Sequence, residues 1–347
     1  MTVARSSSGP DFTYTATSGG QTLASGQATS IESLNINDSR FDDVLNGGDG
    51  DEYFSLTRGH DVVSGGAGYD SAYISFIGTT TGVDFVAQTS GINALTYTAT
   101  SGGGVIASGA LTSIERLSVD GSNYNDIIRL PVTGSVYAGA GDDIVYISSI
   151  NNVFLSGGLG DDTLALEGSG LEIDLTPRIF AAYSIERLDL TGSGDNNLIL
   201  NDQNVIDATD NRDSAFTAAP INDALVVLGD AGDVLDLRTS SPGGAWAEVQ
   251  SGVGLDGAAG GGFDFWAYTA DGAVTAFLAV DSDVTVTTDG NAAADAFVSA
   301  LQAQEAAKDD APLELTQDLL LPAFFDVDEP VAPYSPLHGD FAQPHIA

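Results

Sequence analysis

The residues of this chain best placed to do chemistry are carboxylates that recur at a fixed spacing. Asp38–Tyr73 divides without a gap into four nine-residue units, and position six of each is acidic: Asp43, Glu52, Asp61 and Asp70. Position eight is apolar in all four, as Leu45, Phe54, Val63 and Ala72. Glycine fills position four in three units (Gly50, Gly59, Gly68), and Gly47-Gly48 and Gly65-Gly66 open two of them. A glycine turn, one hard oxygen ligand and one inward apolar residue per nonapeptide are the pattern of a metal-clamped β-solenoid. A second block repeats it. Ala138–Tyr146 carries Gly141, Asp143 and Val145, and Gly157–Ala165 carries Gly157, Gly158, Gly160, Asp162 and Leu164. Gly121–Arg129 is a degenerate predecessor that keeps Asp126 and Ile128.

Two nonapeptides make one coil of eighteen residues, so alternate units stack on the same edge. Asp43 then lies over Asp61, and Glu52 over Asp70. Neighbouring strands are roughly 4.8 Å apart, and like charges at that distance repel by about 1 kcal/mol per pair even in bulk water. Calcium reverses the sign, because it takes six to eight hard oxygens in loose geometry. Glycine turns supply carbonyls beside the carboxylates and tolerate φ > 0. Asp143 with Asp162 is the pair with the fullest set of turn glycines. Glu52 with Asp70 has good glycines, but a longer side chain at 52. Asp43 with Asp61 has Phe41 in place of a glycine and Arg58 in the other turn. That pair reads equally as a solvated edge pair partly neutralised by Arg58. Asp126 is a weaker candidate, and Asp230 and Asp233 read as a tight Asx-type turn rather than a metal site.

These residues need short strands and tight turns to hold them. Thr13–Gly20 (TYTATSGG) recurs as Thr96–Gly103, an offset of 83 (96 − 13). The same offset carries Ser30–Leu34 (SIESL) onto Ser113–Leu117 (SIERL), and a third copy stands at Ser184–Leu188. Three related units follow, each a strand region, an SIExL phrase and nonapeptide turns. The expected divisions are a polar, unstructured lead at 1–10, units at 11–73, 74–165 and 166–237, a C-terminal β region at 238–290, and 291–347. The ten residues Ile147–Ser156 exceed the period by one and read as a widened turn without loss of register. Asp271-Gly272 between FDFWAYTA and AVTAFLAV is a two-residue hairpin signal. Asn291–Lys308 has helical spacing, and an acidic, Pro-punctuated tail begins at Pro312. The expected fold class is all-β: parallel β-roll blocks, additional strands, a C-terminal antiparallel β region, and a short helix and tail.

Composition narrows the function. Ten basic residues against 49 acidic ones give a formal net charge of −39, which disfavours nucleic acid and anionic membranes as partners and favours cations. There is no cysteine, so thiolate zinc sites and disulfides are excluded. No run of apolar residues is long enough to span a membrane, and MTVARSSSGPDF lacks the apolar core of a secretory signal peptide. No H-E-x-x-H, G-x-S-x-G or P-loop pattern occurs. Every well-placed Asp is accounted for by its repeat position, so no catalytic residues are expected. His60, at position five of a nonapeptide, reads as an exposed turn residue. Trp246, Phe263, Phe265, Trp266 and Tyr268 read as a core for the C-terminal β region, with a sugar-binding platform as the other reading.

The nonapeptides GGAGYDSAY and GGLGDDTLA resemble the haemolysin-type calcium-binding repeats of the RTX (repeats-in-toxin) family at every defined position, and GGDGDEYFS departs only at Glu52. The SIExL phrases and IERLDLTGSGDNNLIL followed by VLGDAGDVLDL also look like segments of bacterial proteins exported by type I secretion. The resemblance covers residues 11–290. It implies a parallel β-roll holding Ca2+ in its turns and an uncleaved export signal near the C-terminus, recognised by type I export machinery. The expected function is that of a secreted calcium-binding structural or adhesive protein, extracellular or at the cell surface, that folds on meeting calcium. Its further partners would be cell-surface or polysaccharide ligands, or other copies of itself. The alternatives are a polysaccharide-active enzyme on an RTX scaffold and a self-assembling surface-layer protein.

Overall fold

The computed structural model describes residues 2–4, 12–18, 21–28 and 33–289, except 132–133, 149–153, 177–180, 193, 210–223, 241–242, 254–261 and 271–272. The expected helix at 291–308 and the tail lie outside these residues. The described chain is nearly all β, with one helix.

Coils form because the chain alternates between two sheets, one nonapeptide in each. Val44–Asn46 and Gly59–Ser64 lie side by side in a long sheet. Ser33–Asn37, Asp51–Leu56 and Ser71–Ser75 lie side by side in a second sheet. All these pairs are parallel and in register at eighteen residues, as Val44 opposite Val62 and Phe54 opposite Ala72 show. The position-eight residues Leu45, Phe54, Val63, Ala72, Ile128, Val145 and Leu164 are all buried and stack into one core. Each large one contributes about 1.5–3 kcal/mol by leaving water, which strands of three to six residues need in order to persist.

The second sheet continues through Arg116–Asp120, Gly134–Ala140, Phe154–Leu159 and Ala181–Tyr183, seven parallel strands in all. A row of aromatic rings crosses its outer face. Tyr53 stacks on Tyr73 at 6.4 Å, while Phe154 meets Tyr137 at 5.1 Å and Tyr183 at 5.7 Å between centroids with the rings tilted. The long sheet has sixteen strands. Its parallel blocks are the two strands already named and a run of five: Ile127–Arg129, Ile144–Ile147, Thr163–Leu166, Arg187–Asp189 and Ala224–Leu228. Three antiparallel triplets punctuate it. The first (Thr2–Ala4, Phe12–Ser18, Gln21–Ala28) lies at one end. The second (Val83–Gly91, Ala94–Ser101, Gly104–Thr112) lies between the parallel blocks, and the third (Ala245–Val253, Phe263–Ala270, Ala273–Asp281) lies at the other end. A third sheet joins Glu172–Asp174, Asn197–Asn201, Val234–Arg238 and Thr285–Thr288, all parallel.

The repeat of 83 residues is thereby a repeat of structure. Tyr14 pairs with Gly26 as Tyr97 pairs with Gly109, and the register slips after Ala16 as it does after Ala99. The third triplet has the same kind of slip, between Tyr268 and Thr269. The hairpin expected around Asp271-Gly272 is present as the antiparallel pair Phe263–Ala270 and Ala273–Asp281, the turn itself lying outside the described residues.

Three expectations change. The lead is not wholly unstructured, since Thr2–Ala4 forms a strand paired to Thr13–Thr15 and, in parallel, to Val44-Leu45. The C-terminal region is not only antiparallel, because Ala273–Asp281 runs parallel to Ala224–Leu228 and Thr285–Thr288 parallel to Val234–Leu237. The unit boundaries at 73/74, 165/166 and 237/238 each fall inside a strand, so a coil, not a unit, is the element of construction.

The helix, Asp202–Thr209, is an addition to the expected fold. Asn201 and Asn204 exchange amide-to-side-chain hydrogen bonds of 2.9 Å at its start, a reciprocal cap that holds the first turn. It buries Val205 and Ala208, and its Ala208 carbonyl accepts from Ile185 N–H. Four of the five candidate C-terminal aromatics are core, and Trp266 is partly buried against it. Trp246, Phe263, Phe265 and Tyr268 are buried, and Trp246 Nε1 donates to the Arg238 carbonyl at 2.9 Å.

Candidate metal centre

The turn at each corner brings a position-six carboxylate inward, and all seven candidates are buried: Asp43, Glu52, Asp61, Asp70, Asp126, Asp143 and Asp162 are each at most 5% exposed. They form two columns on opposite edges of the roll. On one, which the second antiparallel triplet interrupts between Asp61 and Asp126, amides of the acidic residues donate to the carboxylate of the next coil. Asp43 N–H reaches Asp61 at 2.9 Å, Asp126 N–H reaches Asp143 at 2.7 Å, and Asp143 N–H reaches Asp162 at 2.9 Å. On the other, Glu52 N–H reaches Asp70 at 2.8 Å. The expected pairs are therefore neighbours, and Asp126 joins the Asp143–Asp162 column. These links span 17 to 19 residues, so the extra residue in Ile147–Ser156 leaves the register intact, as Ile144 opposite Thr163 also shows.

The columns end on residues that the nonapeptide pattern does not contain. Asp70 N–H donates to Glu115 at 2.8 Å and Asp162 N–H donates to Glu186 at 2.7 Å. Both glutamates belong to SIExL phrases. The signal available in the sequence was the recurrence of that phrase at a fixed distance before the polar pairs. Sequence reasoning also missed Asp38. Its carboxylate oxygen lies within 4.8 Å of oxygens of Asp43 and Asp61, so the three carboxylates form a group that could hold a metal ion.

An outer row runs the opposite way. His60 N–H donates to Asp42 at 2.9 Å and Tyr69 N–H to Asp51 at 2.8 Å, while Asp142 N–H reaches Asn125 and Asp161 N–H reaches Asp142, both at 3.0 Å. Position-five side chains thus accept from the following coil, whereas position-six side chains accept from the preceding one. His60 is exposed, as expected, but lies within the strand Gly59–Ser64, with Nδ1 2.8 Å from Ser108 Oγ. The solvated reading of Asp43 and Asp61 does not hold. Both are buried, and Arg58 is exposed and pairs with neither among the described residues. Asp230 and Asp233 do form a tight turn, with Asp233 N–H on the Asp230 carbonyl at 3.1 Å. Asp233 is fully buried and accepts from Asn196 N–H at 2.8 Å and Asp230 N–H at 2.9 Å, so it caps the third sheet with both oxygens engaged.

Burial makes these columns electrostatically costly. Desolvation, then the charges of Asp38 and Asp43, push Asp61 up to about 7. Desolvation, then Asp162, Asp126 and Asp142, push Asp143 up to about 8. Glu186 is pushed up to about 8 by desolvation, then Asp162 and Asp161. Asp70 and Asp126 are raised as well, chiefly by burial.

The donor set fits a hard cation. It is all oxygen, and two of its oxygens are orphans: Asp70 Oδ2 and Asp143 Oδ2 are buried and have no hydrogen-bond partner, which costs about 1–3 kcal/mol or more each when the group is charged. Asp126 fits least, since Val83 N–H, Ser122 N–H and Ser122 Oγ occupy both its oxygens. The opening glycines keep the corners clear. A Cβ on Gly65 would stand 2.3 Å from Asp70 Oδ2, and one on Gly121 2.5 Å from Asp126 Oδ2. Coils also approach closely at position two, where Gly66 (φ +112°) lies against the Gly48 carbonyl. Compared with known proteins, the chain matches no protein-family model and no curated sequence.

Proposed function

We infer that this chain is an extracellular calcium-binding β-roll of the RTX type, a structural or adhesive module whose coils close when calcium enters the carboxylate columns. The observation that carries the reading is the pair of buried, partnerless oxygens, Asp70 Oδ2 and Asp143 Oδ2, each in a column of stacked carboxylates. A divalent cation bound there would satisfy the orphan oxygens and cancel the repulsion along the column at once. Modules of this kind outside cells bind calcium at roughly 10⁻⁴–10⁻³ M, so a calcium-poor interior would leave the columns uncompensated and the chain loosely folded, a state suited to type I export.

Circular dichroism of the full chain in chelator and in millimolar calcium, together with a calorimetric calcium titration, tests this. The expected result is a weak β-signal in chelator that calcium restores, with several ions bound per chain. Identical spectra and no binding heat would refute it.

A further inference from the structure

The two SIExL phrases described by the structure are alike in atomic detail although they turn opposite edges of the roll. Ser113–Glu115 leads from the long sheet into the second sheet, and Ser184–Glu186 leads from the second sheet into the long one. Both serines have positive φ, +51° and +53°, a backbone region that residues with a Cβ adopt uncommonly. In both, the glutamate amide and the next amide donate to one carbonyl: Glu115 and Arg116 to Asp70, Glu186 and Arg187 to Asp162, at 2.9–3.2 Å. In both, the glutamate carboxylate accepts that same aspartate's amide.

The serine carbonyl and the aspartate carboxylate converge beside the opening glycine of the preceding turn. The point where a Cβ of Gly65 would sit is 1.9 Å from the Ser113 carbonyl oxygen and 2.3 Å from Asp70 Oδ2; for Gly157 the distances are 2.1 Å to the Ser184 oxygen and 2.3 Å to Asp162 Oδ2. Asp70 Oδ2, aimed at that spot, has no hydrogen-bond partner, and Asp70 is fully buried. A backbone oxygen and an orphan carboxylate oxygen face each other with a second carboxylate alongside, and the chemistry that joins such groups is a hard cation.

We propose that the SIExL phrase is a terminal calcium site: Ser113 with Glu115, and Ser184 with Glu186, complete the last ion position of each carboxylate column, against Asp70 and Asp162. Glutamate stands where the repeat uses aspartate because the phrase turns its corner in three residues, against six in Gly65–Asp70, and the extra methylene restores the reach. This rests on the calcium reading above and adds to it two ligand sets outside the nonapeptides. A glutamate serving only as an amide acceptor would be equally served by glutamine, whose carbonyl accepts the same N–H without the charge.

The test is calorimetric titration of calcium chloride into the full chain and into its Glu115→Gln and Glu186→Gln variants, with Glu172→Gln, exposed on the strand Glu172–Asp174, as control. Each SIExL variant is expected to lose one ion from the stoichiometry or to bind it about tenfold or more weakly, while the control is unchanged. Terbium luminescence lifetimes in the same variants should report additional water on the bound ion, a readout that a purely structural glutamate would not move. Wild-type stoichiometry, affinity and lifetime in both variants would overturn the terminal site and leave the calcium reading standing. A wild-type chain that takes up no calcium would overturn both.

Discussion

Replacing Asp143 by asparagine should stabilise the calcium-free protein and destabilise the calcium-loaded one. Asp143 is 1% exposed; its Oδ1 accepts Asp126 N–H at 2.7 Å, and its Oδ2 has no partner. Asparagine keeps an oxygen for the amide and removes the charge. Stacked strands put neighbouring carboxylates roughly 4.8 Å apart, where two charges repel by about 1 kcal/mol in water and about 3.5 kcal/mol at an effective dielectric constant of 20. Asp126 and Asp162 both raise the Asp143 carboxyl in this way, after desolvation. With both repulsions partly screened and partly avoided by protonation, the gain should be roughly 2–4 kcal/mol above pH 8. Urea denaturation followed by circular dichroism would measure it, in chelator and in excess calcium. In chelator the midpoint should rise; in calcium it should fall, because a charged ligand is lost. At pH 5, where wild-type Asp143 already holds its proton, the gain should shrink towards zero. Equal destabilisation by Asp143→Asn in chelator and in calcium would refute the reasoning, since the carboxylate would then be a structural acceptor and not a charge awaiting a cation.

The calcium-free protein as a whole should lose stability as pH rises. The carboxyls of Asp61, Asp143 and Glu186 titrate near 7 to 8 when folded and near 4 when unfolded, so the folded state binds the extra protons. Their contribution is complete below about pH 4 and gone above about pH 8; thermal melts in chelator across that window should show it, and calcium should flatten the trend. Gly65→Ala should cost about 3 kcal/mol or more by steric overlap alone, because its Cβ would lie 1.9 Å from the Ser113 carbonyl oxygen. Gly104→Ala, which has nothing within 4 Å, should be close to neutral in the same denaturation assay. Hydrogen exchange read by mass spectrometry should find the amides of Asp43, Glu52, Asp126 and Asp143 protected in calcium and exchanging faster in chelator, and equal protection in both would count against cation control of the columns.

Much of the roll could be read from residue types because its period is short and each position has one physical task. Gly65-Gly66, Asp70 and Ala72 state a turn, a column and a core in eight residues, and the structure stacks them at eighteen. The depth of each carboxylate pair is harder to read. Phe41 and Arg58 made Asp43 and Asp61 look solvated, yet Phe41 and Arg58 both point outward and the two carboxylates are buried. Glycine content reports how a turn bends, not how deep its carboxylate lies. The helix Asp202–Thr209 was not legible, because Val205, Ile206 and Thr209 are β-branched and argue against a helix. The reciprocal Asn201–Asn204 cap and the contact with Ile185 outweigh that preference. Glu115 and Glu186 were hidden by lying outside the nonapeptide frame, although their phrase was visible as a repeat. The strand at Thr2–Ala4 is held by its partners at Thr13–Thr15 and, from a distant part of the chain, at Val44 and Leu45, which no local pattern could announce.

The spacing of the column links has a consequence for how such a chain can change its length. Links at 17, 18 and 19 residues are geometrically equivalent, and one at 24 residues, Asp162 to Glu186, still closes. Corners absorb added residues while strands hold their register, so natural insertions and deletions should collect at the corners. Loss or duplication of a complete coil should leave the remaining links intact, whereas removal of one nonapeptide would exchange the two edges for every residue downstream. Such a protein grows or shrinks in whole coils, with an SIExL phrase marking where a column of carboxylates ends.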